Sequence, residues 1–190
     1  MDESHNLLGF RDDLAMLNDS PATASLPESG KFLHFQLGQE RYSLPVKEVR
    51  EIIRLCPVTP VPRMPAYHRG VINLRGKIVP VMDLRLRLEL PPAENLERAC
   101  IIVVQRQLSN IPDQLIGLQV DVVEEVAFIG QNCIEPAPDF CGTIDSKFIL
   151  AMAKNKDAVV TILSVEELVE NDGRTDPSKA KTQNHDEVGQ

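Results

Sequence analysis

The chain has 190 residues, a formal net charge of −8 and 43% hydrophobic residues, yet only 4% of its residues are aromatic and none is tryptophan. This length can hold one ordinary domain or two small ones. The acidic balance and the scarcity of aromatic side chains argue against a nucleic-acid binder, which needs basic grooves and stacking surfaces. No apolar run approaches the ~20 residues that span a bilayer, so we expect no direct membrane insertion.

The distribution of charge and the spacing of the cysteines further restrict the class of protein that we expect. Residues 41–106 carry 12 basic against 6 acidic residues, whereas residues 107–190 carry 6 basic against 15 acidic ones. This distribution predicts a basic face on residues 41–106 and an acidic face on residues 107–190. The alternative is that these charges belong to an ordinary solvated surface. The four cysteines show no CxxC spacing and no histidine completes a metal site, so we expect neither a metal nor a cofactor. With no leader pattern at the N-terminus, we expect a cytoplasmic protein.

The two ends of the chain differ from its middle. Residues 1–30 form an extension in which apolar residues recur at helical spacing, which predicts a short amphipathic helix over residues 6–17 followed by a flexible linker. That helix would either dock on a partner, or pack on its own domain or fray. Residues 171–190 are polar without an apolar period, which predicts a disordered tail.

The apolar residues recur with different periods in residues 33–37 and in residues 46–53. Leu33, Phe35 and Leu37 alternate with polar positions, which predicts a strand with His34 facing outward at a sheet edge. Residues 46–53 carry apolar side chains three and four apart, which predicts one to two helical turns.

Residues 70–82 are the best-specified hairpin. Gly76 can adopt the positive φ that its turn requires, and Pro80 places the return strand near an edge or a bulge. Asp83 stands at a helix N-cap position. Arg75 lies at the hairpin tip, where its guanidinium could bind a partner's carbonyl or carboxylate groups; it could also be an ordinary exposed turn arginine.

The same pattern occurs twice along the chain. The strand at residues 42–46 corresponds to that at 116–120, and the hairpin and helix start at residues 70–84 correspond to those at 148–165. Ser164 begins a capping-box pattern in the second copy. Two related units side by side predict two small β-barrels, with exposed strand edges that suit binding partners.

Catalytic patterns are missing from the sequence. We find no GxSxG, HExxH, phosphate-binding glycine loop or dinucleotide fingerprint, and the four histidines are scattered. We therefore expect a protein that is not an enzyme. A β-barrel enzyme or nucleic-acid binder is the alternative from a different class.

Seven runs of sequence occur in an order typical of one family. The most specific is G-V-x-N-L-R-G-x-x-x-P-V-x-D-L-R over residues 70–85. Through these runs the chain is identified as a member of the CheW family of chemotaxis coupling proteins over residues 31–170. The seven runs are Phe35–Tyr42, Val49–Ile52, Thr59–Pro62, Gly70–Gly76, Val79–Arg85, Gly117–Asp121 and Ile134–Pro138.

The resemblance implies a mainly β fold of two small, intertwined five-stranded β-barrel subdomains with short helices. It also implies a non-enzymatic scaffold or adaptor in two-component signal transduction. Such a scaffold joins the cytoplasmic tips of chemoreceptors (methyl-accepting chemotaxis proteins) to the regulatory domain of a CheA-type histidine kinase, in membrane-associated arrays. Other CheW-like domains are further partners, in rings. The output, whether swimming, pili or a second messenger, stays open.

The resemblance also implies a site. By motif position, Val49, Gly70 and Arg75 match family positions tied to receptor binding, and Glu51 lies in the same stretch. Ser43 departs from the family pattern, which usually has glycine after the tyrosine.

Overall fold

The structure is a computed structural model that describes residues 26–108, 111–138, 144–155 and 158–170. The extension helix expected over residues 6–17 and the tail of residues 171–190 lie outside the described residues. The described strands are β1 (Gly30–Leu37), β2 (Glu40–Pro45), β3 (Val49–Arg54), β4 (His68–Leu74), β5 (Lys77–Asp83), β6 (Cys100–Leu108), β7 (Ile111–Val120), β8 (Val122–Ile129), β9 (Ile134–Glu135), β10 (Ile149–Asn155) and β11 (Ala158–Leu163).

Two short α-helices follow the two hairpins, α1 (Leu84–Arg87) and α2 (Val165–Glu170), and three 3-10 turns span Val46–Glu48, Gln131–Cys133 and Ser146–Phe148. The capping predictions are confirmed. The Asp83 side chain accepts hydrogen bonds from the amides of Arg85 and Leu86. The Ser164 hydroxyl accepts one from the Glu167 amide at 3.3 Å.

The strands form two sheets with matching topology. The first sheet has the order β8-β1-β2-β11-β10-β9 and the second has the order β3-β6-β7-β5-β4. Apart from β9, each strand of one sheet has its counterpart in the other. With β9 left aside, each sheet combines two strands from one copy of the repeat with three from the other copy. The mainly β class and the paired units are therefore confirmed, and the two copies exchange strands.

The expected five-stranded barrels differ from the structure in detail. The two-residue strand β9 gives the first sheet a sixth strand. Among the described residues, the hydrogen-bond ladders close neither sheet into a complete barrel. In the second sheet, an ion pair described below connects β3 with the turn that follows β4.

The main core lies between the two sheets, in a layer that we call the seam. Buried residues of both sheets meet there, among them Phe35 and Leu44 from the first and Ile102 and Leu118 from the second. A smaller cluster packs on the far face of each sheet. The Leu168 side chain of α2 is fully buried in the seam, so the second copy's helix covers one end of this layer.

The prediction of one to two helical turns over residues 46–53 is wrong after the first turn. Only Val46–Glu48 forms a 3-10 turn, and Val49–Arg54 is a strand whose residues alternate between half-buried and exposed. Val49 and Ile53 are four apart, which fits a helix. They nevertheless face different clusters, because the ladder between β3 and β6 shifts register between Val49 and Glu51. That β-bulge turns one face of the strand to the other side.

The outward orientation expected for His34 is also wrong. Strand β1 lies inside the first sheet, between β8 and β2, and His34 is 1% exposed. Its Nδ1 lies 2.5 Å from the Ser43 hydroxyl on β2, and its Nε2 has no hydrogen-bond partner among the described residues. Burial is the first cause that lowers the pKa of His34 and the nearby Arg41 is the second, while Glu124 and Glu125 oppose them.

Pro80 does not lie on an edge strand, because β5 is flanked by β4 and β7. The alternative expectation, a nearby bulge, is confirmed, since the ladder between β4 and β5 shifts register between His68 and Gly70, next to the pair of Val71 and Pro80. The parallel ladder between β5 and β7 begins only at Val81. Pro80 pairs with Val71 of β4. The Val71 amide and carbonyl both bond Thr59, so the missing amide of Pro80 removes no bond to Val71.

The uneven charge along the sequence is partly paired inside the molecule. The Arg85 guanidinium from the first copy lies 2.5 Å from the Asp121 carboxylate of the second, and both side chains are 15% exposed. Arg41 pairs in the same way with Glu124 at 2.7 Å. Ion pairs therefore connect the basic part of the chain with the acidic part, so these charges do not serve only as solvent-exposed surface.

Candidate partner-binding site

Glu51 and Arg75 come together although they belong to opposite edges of the second sheet. Glu51 lies on β3, at one edge, and Arg75 lies in the turn between β4, at the other edge, and β5. The Arg75 Nη2 atom lies 3.0 Å from the Glu51 Oε2 atom. The ion pair joins the two edges where backbone hydrogen bonds do not.

The turn geometry keeps Arg75 accessible. Arg75 and Gly76 have φ angles of 51° and 84°, as the two central residues of a type I′ hairpin turn require. The positive φ predicted for Gly76 is thereby confirmed. The Gly76 amide donates to the Asn73 side-chain oxygen at 2.8 Å, which fixes the turn. The Arg75 side chain is 81% exposed in spite of its pairing, against 27% for Glu51, so its other guanidinium donors face solvent.

Gly70 has a structural reason to be glycine. Its φ is +132°, and a Cβ atom there would lie 2.0 Å from the Thr59 carbonyl oxygen. Thr59 and Val71 exchange backbone hydrogen bonds of 2.8 and 2.9 Å. Gly70 therefore allows the loop between β3 and β4 to lie against β4, beside the hairpin that carries Arg75.

Val49 and Ile52 lie on the seam side of β3. Val49 pairs with Val104 and Ile52 with Ile102, and both partners belong to the seam core. Val49 is half-buried against that core, whereas Ile52 is 42% exposed. The exposure of Ile52 was not predicted, because the sequence pattern was interpreted as a helix here. The period-two alternation of a strand would have predicted its exposure.

A cleft of about 360 Å³ lies at the seam beside the start of β3. Residues from both sheets line it: Lys47, Glu48, Arg50, Gln105, Leu150, Ser164, Val165 and Glu166. Burial raises the pKa of Glu48; Lys47 lowers it and Glu166 raises it. The cleft has mixed charge, with two lysine or arginine side chains and two carboxylates among its lining groups.

The two sheets also expose aliphatic side chains at equivalent positions. Val81 pairs with Gly117 in the second sheet, and Ile162 pairs with Ser43 in the first. Val81 and Ile162 are therefore equivalent positions. The residues three positions before them, Ile78 and Val159, are equivalent as well, and they are 76% and 59% exposed. Each of the two units therefore presents one open apolar residue on the return strand of its hairpin.

The part of the chain that the structure describes lacks a metal-binding cluster and a helix able to span a membrane. Among the residues that the structure describes, no cluster of His, Cys, Asp and Glu side chains could hold a metal ion. None of the described helices has the length and apolar character that a membrane span requires. Exposed strand edges, an accessible arginine and open aliphatic side chains define a protein-binding module.

Comparison with known proteins identifies the module. Residues 31–173 match the CheW-like domain family. A probable chemotaxis protein CheW of Rhizobium etli is 31% identical over 150 residues, which cover 78% of this chain and 94% of that protein. The chemotaxis protein CheW of Helicobacter pylori is 32% identical over 142 residues, covering 75% and 82% of the two chains.

A solved structure shares the fold. The crystal structure of the scaffolding protein TtCheW from Thermoanaerobacter tengcongensis superposes with a TM-score of 0.68 at 36% identity, covering 78% of this chain and 92% of that one. The chain belongs to the CheW family, and it is a chemotaxis scaffold rather than an enzyme.

Proposed function

We propose that this protein couples chemoreceptors to a CheA-type histidine kinase by binding both at once. The observation that carries the proposal is the Glu51–Arg75 pair, which gathers residues from two sheet edges and leaves Arg75 81% exposed. Two partners on one small domain require two separate surfaces, and the described residues offer the site around Arg75 and the hairpin strands with Ile78 and Val159.

The receptor surface would lie on β3 and the neighbouring hairpin tip. Arg75 would donate to carboxylate or carbonyl groups of a receptor's helical tip, with Glu51 holding the guanidinium in place. Val49 and Ile52 would supply apolar contact beside the seam, and Gly70 would set the position of the loop next to them. Arginine is among the residue types that are enriched where single residues contribute strongly to binding.

The kinase surface would use the equivalent positions Ile78 and Val159. The regulatory domain of a CheA-type kinase resembles this fold, so each of the two units could contact the opposite unit of such a domain. Contacts of that kind would bury about 1,000–1,600 Å². With one exposed apolar residue on each unit, the scaffold could bind one homologous domain at each end and so take part in rings of alternating domains.

Localisation follows from the same proposal. The protein would act in the cytoplasm and be recruited to membrane-associated receptor arrays by the receptors themselves. An adaptor in a chemosensory array that controls pili or a second messenger would show the same binding, and the genomic neighbours of the gene would separate these outputs.

The deciding experiment is co-capture from purified components. Immobilised protein is incubated with a receptor cytoplasmic fragment and with the kinase regulatory domain from the same cell. We expect each to bind alone and both to bind together. Val159→Asp should weaken kinase capture without affecting receptor capture, and Arg98→Ala, at an exposed arginine in the loop before β6, should affect neither. A protein that captures neither partner would exclude the coupling role.

A further inference from the structure

Two apolar side chains on the edge strand β8 lie open to solvent. Val126 is 50% exposed and Phe128 is 70% exposed. Val126 pairs with Leu33 and Phe128 with Lys31, so both project from the same face of the strand, two residues apart. We call these two residues the β8 patch. Leu33 is buried in the seam, and the patch continues this apolar face past the sheet edge.

The N-terminal segment enters the described structure beside this patch. Gly30 pairs with Ile129 at the end of β8. The Ser29 amide donates to the Gln131 side-chain oxygen at 2.8 Å, and the Gln131 side-chain nitrogen donates to the Pro27 carbonyl at 3.4 Å. Residues 27–29 are therefore held against the residues that follow β8, a few positions from Phe128.

The sequence before this point carries a matching apolar stripe. Leucine and phenylalanine occur at positions 7, 10, 14 and 17, at helical spacing, and residues 1–25 hold five acidic residues against one basic residue. Lys31, exposed and paired with Phe128, lies at the patch. The 12 residues from 18 to 29 can span up to about 40 Å when extended, so the stripe can reach the patch in the same molecule.

We propose that residues 6–17 dock as an amphipathic helix on the β8 patch of their own chain. The stripe would cover Val126 and Phe128, and acidic residues beside it would lie near Lys31. Docking in the same chain is favoured because the linker holds the segment near the patch, which raises its effective concentration there. The helix would also shield an edge strand that could otherwise pair with another chain.

A single tryptophan can test this docking, because the chain has none. Phe10→Trp is made in the full-length protein. We expect its fluorescence emission at shorter wavelength than in the denatured chain, with weaker quenching by acrylamide. Adding Phe128→Ser should move both values towards those of the denatured chain. The control Ile78→Ser changes an equally open residue, 76% exposed, on the other sheet, and it should leave both values unchanged.

Three results would overturn the proposal. Emission equal to that of the denatured chain would mean that the segment docks nowhere. A short-wavelength emission that persists in both Phe128→Ser and Val126→Ser would place it on another surface. A short-wavelength emission that disappears on dilution would mean that a second copy supplies the patch. Far-UV circular dichroism of each variant verifies that the sheets are intact.

Discussion

Arg75 and Glu51 are 24 residues apart in the chain, and their ion pair joins the outer strand β3 to the turn that follows the other outer strand, β4. An exposed pair of this kind contributes little to stability, typically up to about 1 kcal/mol. Its more important effect is geometric, since it orients an arginine at a hairpin tip while most of the side chain stays in solvent.

Arg75→Ala should weaken receptor binding while leaving the fold almost unchanged. No cavity opens at an exposed tip, so the free energy of unfolding should shift by about 0.5 kcal/mol or less. A lost charge-assisted bond at an interface should cost about 1.5–3 kcal/mol, or roughly tenfold to a hundredfold in affinity. Thermal melting and receptor-fragment titration measure the two effects separately.

Val49→Ala provides the comparison for Arg75→Ala. Val49 packs against the seam core, so this change should lower stability by about 1–2 kcal/mol as well as weaken binding. If Arg75→Ala melts many degrees lower and binds normally, Arg75 holds the sheet together and does not reach a partner.

Gly70→Ala should destabilise the protein even though it adds a single methyl group. The new Cβ would lie 2.0 Å from the Thr59 oxygen at a φ of +132°, so the loop must separate from β4 or the strand must distort. A loss of about 3 kcal/mol or more is expected from the strain and the broken bridge. Melting curves check this, with Gly76→Ala as a milder control because nothing lies within 4 Å of its added Cβ. Equal melting temperatures for the two variants would contradict the steric role.

Arg85 and Asp121 should behave as a coupled pair. Both side chains are 15% exposed, and Asp121 also accepts a bond of 2.6 Å from the Gly38 amide. Removing either partner leaves a largely buried charge, which should cost about 3 kcal/mol. The double variant Arg85→Ala/Asp121→Ala should lose clearly less than the sum of the two single losses, as chemical denaturation of the four proteins would show. Simple additivity would mean that the pair does not hold the two copies together.

Stability should fall below neutral pH because of His34. The folded protein lowers the pKa of His34 from its ordinary value of 6.5, chiefly through burial. Below that value the unfolded chain binds a proton that the folded chain resists, so stability is complete above pH 6.5 and decreases as the pH falls. His34→Val should flatten this dependence between pH 7.5 and 5.5, measured by urea unfolding. Valine is a reasonable replacement, since Val103 holds the equivalent position opposite Gly117 in the other sheet. An unchanged pH slope in the variant would assign the effect to another group.

The ends of the chain should be removable without loss of the fold. Limited proteolysis should leave a fragment close to residues 31–170, because the seam core ends with Leu168 and Val169 of α2. We expect a protein of residues 26–170 to melt within a few degrees of the full chain. Unfolding of the trimmed protein would give the extension a role in the core and would contradict the domain boundaries expected from the sequence.

Local features of this fold were predictable from the sequence because they depend on neighbouring residues. The turn at Arg75 and Gly76 needs a glycine that tolerates positive φ and, three residues before it, an asparagine whose side chain can bond the Gly76 amide. All of these residues lie close together in the chain. The helix caps at Asp83 and Ser164 need only an oxygen-bearing side chain before the helix. The repeat was visible because two copies preserve one pattern of alternation.

Features that depend on distant strands were decided by the tertiary structure. His34 was expected to point outward at a sheet edge, because alternation defines two faces of a strand without showing which faces are covered. In the structure β1 lies between β8 and β2, and His34 is 1% exposed. Glu51 turns towards Arg75, and Ile52 towards the seam, because a bulge against β6 shifts the register of β3. The exchange of strands between the copies has the same origin. Sequence periodicity fixes which side chains share a face of one strand, whereas pairing across many residues of intervening chain fixes which face becomes core and which becomes a binding surface.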